Sequence, residues 1–108
     1  MFRTRAFPMN MVRKEVTDGY EIRMGDLNAF DVFYINEATG GEITLPFPTE
    51  AYASRGFYVV NGGSLSASLS CPGGGFIGDN DSTSVSPQSV AIVVAYPTEP
   101  GTWRWALR

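Results

Sequence analysis

Residues 56–70 read Gly-Phe-Tyr-Val-Val-Asn-Gly-Gly-Ser-Leu-Ser-Ala-Ser-Leu-Ser, and this stretch decides the fold class. Phe57 to Val60 are aromatic and β-branched, a composition that suits a pleated, packed surface. Asn61-Gly62-Gly63 follows, three residues that tolerate positive φ and tighten hairpins. Leu65, Ala67 and Leu69 then alternate with Ser64, Ser66, Ser68 and Ser70. One face is apolar and the other hydroxylated, with the period of two that marks a half-buried strand. The expectation is a strand, a tight hairpin and a return strand.

Toward the C-terminus, residues 71–84 hold four glycines and a proline and read as a surface loop, with at most one short strand at Phe76 and Ile77. From Gln88 to Tyr96, Val90, Ile92, Val94 and Tyr96 fall on one side and Ala91, Val93 and Ala95 on the other. A central strand covered on both faces fits that run. Beyond Pro97–Gly101, Trp103, Trp105 and Leu107 alternate with Thr102, Arg104 and Ala106 to give a closing strand.

Toward the N-terminus, Ile43 and Leu45 alternate with Glu42 and Thr44 until Pro46 and Pro48 stop the ladder, since proline lacks an N–H. Phe30 to Ile35 forms a second β-prone block, and Tyr20, Ile22 and Met24 alternate with Glu21 and Arg23. Residues 49–55 are the one candidate helical turn, with Thr49 as N-cap and Gly56 as stop. Residues 1–17 show neither period and read as an extended arm. The strand list predicts a single all-β domain over residues 18–108, a jelly-roll-like β-sandwich of seven to eight strands. Strand order is not legible, and an immunoglobulin-like sandwich or an intertwined trimer fits the same list.

A chain of 108 residues builds one core and not two. Apolar residues make up 44% and charged residues 18%, which excludes a disordered polypeptide. The net charge of −3 is uneven: residues 1–14 carry Arg3, Arg5, Arg13 and Lys14 without an acid, so the remainder is acidic. That balance argues against phosphate-backbone binding by the body, and no nucleic-acid partner is expected. Cys71 stands alone, so no internal disulfide forms and an intracellular origin is expected. No apolar run reaches the length of a signal peptide's core or of a membrane span, so neither export nor a membrane partner is expected.

There is no histidine, which removes the commonest general base near neutral pH and the commonest metal ligand. Cys71 has no basic neighbour in sequence to activate it. Asp79-Asn80-Asp81 places oxygens at i and i+2 but lacks the glycine and glutamate of a calcium loop, and reads as a solvated turn. Gly73-Gly74-Gly75 has no following Lys-Ser/Thr pair. A carboxylate hydrolase leaves no local spacing signature, and eleven scattered acids are an ordinary surface complement. The expectation is therefore no enzyme and no cofactor. Trp103 and Trp105 suit core packing or a subunit interface, with a sugar-stacking platform as the lesser reading. Phe2, Arg3, Arg5, Phe7, Arg13 and Lys14 suit an arm that sets aromatics into a partner's grooves and arginines against its acids, the bland reading being a frayed terminus.

Taken in order, Gly41-Glu-Ile-Thr-Leu-Pro46, Gly56-Phe-Tyr-Val-Val-Asn-Gly-Gly63, the serine-alternating strand, Gly75-Phe-Ile-Gly78, Ser89-Val-Ala-Ile-Val-Val94 and Trp103-Arg-Trp105 resemble a small β-module of tailed-bacteriophage virion proteins. Such modules occur in head decoration proteins, head fibres and tail fibres. The resemblance spans residues 41–107 and implies a structural protein of the virion, trimeric or bound to the capsid. A stand-alone module of this length with a basic arm looks most like a decoration, or cement, protein. Its expected partners are the major capsid protein, on the exterior of the head, and its own copies in a homotrimer. The competing expectations are a tail-fibre or spike component and a carbohydrate-binding sandwich.

Overall fold

A computed structural model describes residues 11–52 and 56–108 and shows nine strands among them, packed as two sheets face to face. The strands are β1 (Arg13–Val16), β2 (Tyr20–Glu21), β3 (Val32–Ile35), β4 (Glu42–Thr44), β5 (Gly56–Asn61), β6 (Ala67–Ser70), β7 (Ser82–Val85), β8 (Ser89–Glu99) and β9 (Thr102–Leu107). One short helix, α1 (Met24–Ala29), and a 3₁₀ turn at Glu50–Tyr52 complete the elements. The five-stranded sheet runs β1-β3-β5-β8-β9 and the four-stranded sheet β2-β4-β6-β7.

The first six strands alternate strictly between the two sheets, so the chain winds three times around the core. β1, β3 and β5 stack in parallel on one side and β2, β4 and β6 in parallel on the other. Register is clean: Arg13 stands beside Val32 and Val32 beside Tyr58, while Tyr20 stands beside Ile43 and Ile43 beside Leu69. The last three strands then reverse the pairing. β7 adds antiparallel to β6, β8 antiparallel to β5, and β9 antiparallel to β8. The chain is thus a β-sandwich, as expected. The expected jelly-roll connectivity finds no support, because four of the seven pairings are parallel and a jelly roll is built of antiparallel Greek keys.

The stretch at residues 56–70 explains the difference. Its two halves are strands, but they belong to opposite sheets, and Asn61-Gly62-Gly63 carries the chain across the core instead of turning it back. Gln88 Nε2 donates to the Gly62 and Gly63 carbonyls at 2.8 and 3.0 Å, and the fully buried Asn61 braces the crossing from within. Its Nδ2 donates to the carbonyls of Leu65 at 2.9 Å and Val85 at 3.0 Å, and its Oδ1 accepts from Gly63 N–H at 2.9 Å. Gly62 and Gly63 are there for close approach, since a Cβ on Gly62 would collide with Tyr34 Oη and one on Gly63 would lie 2.6 Å from the Glu37 carbonyl oxygen. Residues chosen for tight approach and residues chosen for a hairpin look alike in sequence.

Other boundaries shift for local reasons. Arg13–Val16, expected within the arm, is a strand paired with β3, so the sandwich begins earlier than residue 18. Its charged side chains hid the alternation, and they suit an edge strand that must not recruit another chain. Met24–Ala29 is helical where the alternation had continued; Asp26 Oδ2 accepts the Arg23 N–H at 3.1 Å and opens the helix. Ser82–Val85 pairs as β7 within what read as loop. Of the expected turn at 49–55, Glu50–Tyr52 is a 3₁₀ turn, and residues 53–55 lie outside the described residues.

Between the sheets lies one apolar core to which Phe33, Ile35 and Val59 contribute from one side and Ile43, Ala67 and Leu69 from the other, each fully enclosed. Each such side chain contributes about 1.5–3 kcal/mol relative to exposure. Trp105 sits at its C-terminal end, edge-on to Phe57 with centroids 5.6 Å apart, and Phe57 is edge-on to Phe33 at 5.7 Å.

Candidate binding surfaces

Sheet geometry decides which side chains face outward. In β8, Ala91, Val93 and Ala95 are buried toward the core, so Val90, Ile92, Val94 and Tyr96 point away from it. Val90 lies beside Val60, and Val60 beside Tyr34, so the outward apolar row continues across β5 and β3. Val90 is 42% and Tyr96 40% exposed. The sequence had implied cover on both faces of β8; the second sheet covers the inner one only. Charge frames the outward face at its margins, with Arg13 stacked 4.9 Å over the Tyr34 ring at one edge and Arg104 on β9 at the other.

The arm residues Phe2, Arg3, Arg5 and Phe7 lie outside the described residues. Arg13 and Lys14 do not belong to a free arm: they are in β1, with the Lys14 ammonium 5.7 Å over the Tyr20 ring and 5.4 Å over Phe30. Arg13 also meets Glu15 at 3.4 Å, an exposed pair of small energetic weight.

The two tryptophans part company. Trp105 is fully buried and donates its indole N–H to the Pro46 carbonyl at 2.8 Å, so it belongs to the core of its own chain. Trp103 is only half-buried and lies at the start of β9, beside the Phe47–Glu50 segment. Sequence reasoning passed over Phe47, which is 49% exposed. Its signal was a large aromatic between two prolines, where no ladder can use it.

Cys71 is buried, with its thiol 3.6 Å from the Pro46 carbonyl. Burial pushes the thiol's pKa up, and the nearby Asp81 charge adds to that shift, the opposite of what activates a nucleophile. The Gly-rich loop is held by its own groups. Asp81 Oδ1 accepts from Gly74 N–H at 2.6 Å, Asn80 Nδ2 donates to the Ile77 carbonyl at 3.3 Å, and Asp79 Oδ1 takes Arg104 at 3.1 Å. Asp79-Asn80-Asp81 is thus engaged in shaping its turn. Among the described residues no cluster of three His, Cys, Asp or Glu is placed to hold a metal ion. No helix among them is long and apolar enough to cross a membrane.

The chain matches no protein-family model, no curated protein and no solved structure.

Proposed function

We propose that the protein is a structural component of a tailed-phage virion, a decoration protein that binds the outer surface of the head shell and reinforces it as a trimer. The observation that carries this reading is the outward face of the five-stranded sheet. Val60, Val90, Ile92, Val94 and Tyr96 form an apolar surface on a central part of the fold, where a monomer's own stability gives no reason for it. Apolar and flanked by Arg13 and Arg104, such a face suits docking to another protein surface. The sheet edges are managed as a particle component requires. β1 is charged, and the Gly75–Ile77 segment pairs with Trp105 and shields β9. The resemblance over residues 41–107 supplies the head shell as the surface concerned.

Two experiments test it. Quantitative peptide mass spectrometry of gradient-purified particles should find hundreds of copies per particle; a handful would move the protein to the tail or a vertex, and none would end the virion reading. Val90→Glu places a charge at an already exposed position. It should leave stability within about 0.5 kcal/mol while lowering occupancy on the shell. A truncation test of the arm must end before Val12, whose backbone exchanges hydrogen bonds with Asp31 just ahead of β1.

A further inference from the structure

Apart from the sheet face, an open cleft of about 440 Å³ at the start of β9 joins an exposed and a half-buried aromatic to polar groups. Trp103 and Phe47 supply its aromatic surface, and Thr49, Glu50, Thr102 and Arg104 its polar groups. The aromatics come from segments far apart in sequence, brought together because the Pro46 carbonyl is tied inward by Trp105 while the next residue turns out.

Phe47 is exposed yet held. Gly73, with a φ of +93°, brings backbone against its ring edge, so that a Cβ there would meet Phe47 Cε1 at 3.5 Å. The Arg104 guanidinium lies 5.8 Å from the ring centroid and is itself fixed by Asp79 at 3.1 Å. An exposed ring that is already positioned loses little freedom when a ligand stacks on it. Glu50, beside it, makes no hydrogen bond or ion pair with a described residue, and a carboxylate at neutral pH can only accept.

We infer that this cleft is a carbohydrate-binding site, in which a pyranose lays its C–H face on Trp103 and Phe47 and donates hydroxyl hydrogens to Glu50. A proline-rich peptide would also stack on aromatics. It offers few N–H donors to the acceptor-only carboxylate, whereas a sugar carries donors around its whole rim. Thr49 and Thr102 hydroxyls can accept or donate and complete the match. This inference does not depend on the proposed capsid role, since the cleft and the outward sheet face use different residues except for Arg104 at their shared margin.

The test is a ¹H–¹⁵N spectrum of the whole chain, which shows two indole signals because there are two tryptophans. Cellopentaose, chitopentaose, maltopentaose and mannopentaose are titrated in turn. At least one should shift the Trp103 signal saturably, with a smaller change at Trp105, whose N–H is occupied by Pro46. Phe47→Ala should weaken that binding by about tenfold, and Glu50→Gln by a smaller factor. The Trp105 signal, unmoved in the variants without sugar, certifies that the fold is intact. Failure of all four sugars to shift Trp103 would overturn the inference. So would a response to a proline decapeptide in place of any sugar, or undiminished sugar binding by Phe47→Ala.

Discussion

Trp103 and Trp105 stand two residues apart on the same face of one strand, yet their surroundings have opposite character. Around Trp105 every group is spoken for: its ring packs on Phe57 and Tyr52, its N–H meets Pro46, and the Cys71 thiol points to the same carbonyl. Trp103 packs against the rim of the core on one side only, and Phe47 and Glu50 stand exposed beside it on the other. One side chain is enclosed by its own sandwich; the other borders open space. Identity of residue and periodicity of strand are equal for both, so the difference comes entirely from what the rest of the fold sets opposite each.

The contrast breaks most visibly by truncation. Trp105→Ala should destabilise the protein by about 3–5 kcal/mol, because it leaves a large cavity and strips the Pro46 carbonyl of its better donor. Trp103→Ala, in a half-open site, should cost no more than about 1–2 kcal/mol. Urea denaturation of the pair measures the gap, and equal losses would refute the distinction.

Asn61 extends the comparison to the other end of the core, where a buried polar side chain replaces the aromatic. Asn61→Leu removes both donors to the Leu65 and Val85 carbonyls and should cost about 2–3 kcal/mol despite its similar branched shape. A variant as stable as the parent would show that the crossing of the core does not depend on that side chain.

Titration sharpens the enclosed side. The Cys71 thiol has its pKa raised above the ordinary 9.0 by burial. The folded state therefore holds the proton more firmly than the unfolded one. Its contribution to stability is complete below about pH 9 and is lost as pH rises from there through the folded value. Stability measured across that alkaline range should fall less steeply in Cys71→Ala than in the parent. Tyr52, whose pKa burial also raises, adds a further alkaline loss above 10.0 that this variant leaves in place. In the native protein at neutral pH, iodoacetamide should label Cys71 only at the rate of unfolding.

The smallest effect belongs to the exposed ring. Phe47→Ala should change stability by less than about 1 kcal/mol, since half of that side chain is already in water. A large loss would mean that Phe47 is structural and would weaken its assignment to the cleft.

Strand positions were legible wherever one face is apolar and the other polar, as at Ala67–Ser70, or where β-branched residues run together, as at Val90–Val94. Connectivity was not, because pairing partners are set by contacts remote in sequence, and Asn61-Gly62-Gly63 serves a crossover with the residues that also serve a hairpin. β1 and β7 escaped notice for a shared reason. Each is an edge strand with charged or hydroxylated side chains, and only Val16 and Val85 are buried in them. Of the candidate site residues, Trp103 reaches a surface concavity and Trp105 does not. Its partner Phe47 comes from a segment that sequence treats as a break, so their meeting depended on Pro46 being anchored from within.

The order in which strands enter the five-stranded sheet bears on biosynthesis. β5 is completed at residue 61, but its second neighbour, β8, begins only at residue 89. Until β8 joins, the three-turn coil presents an unpaired edge at β5, and the edge of β6 waits likewise for β7. A nascent chain in that condition resembles an unfinished zipper whose teeth fit any neighbouring copy. A chain truncated before Ser89 should therefore aggregate far more than the whole protein, and co-expressed holdase chaperones should lower the aggregated fraction.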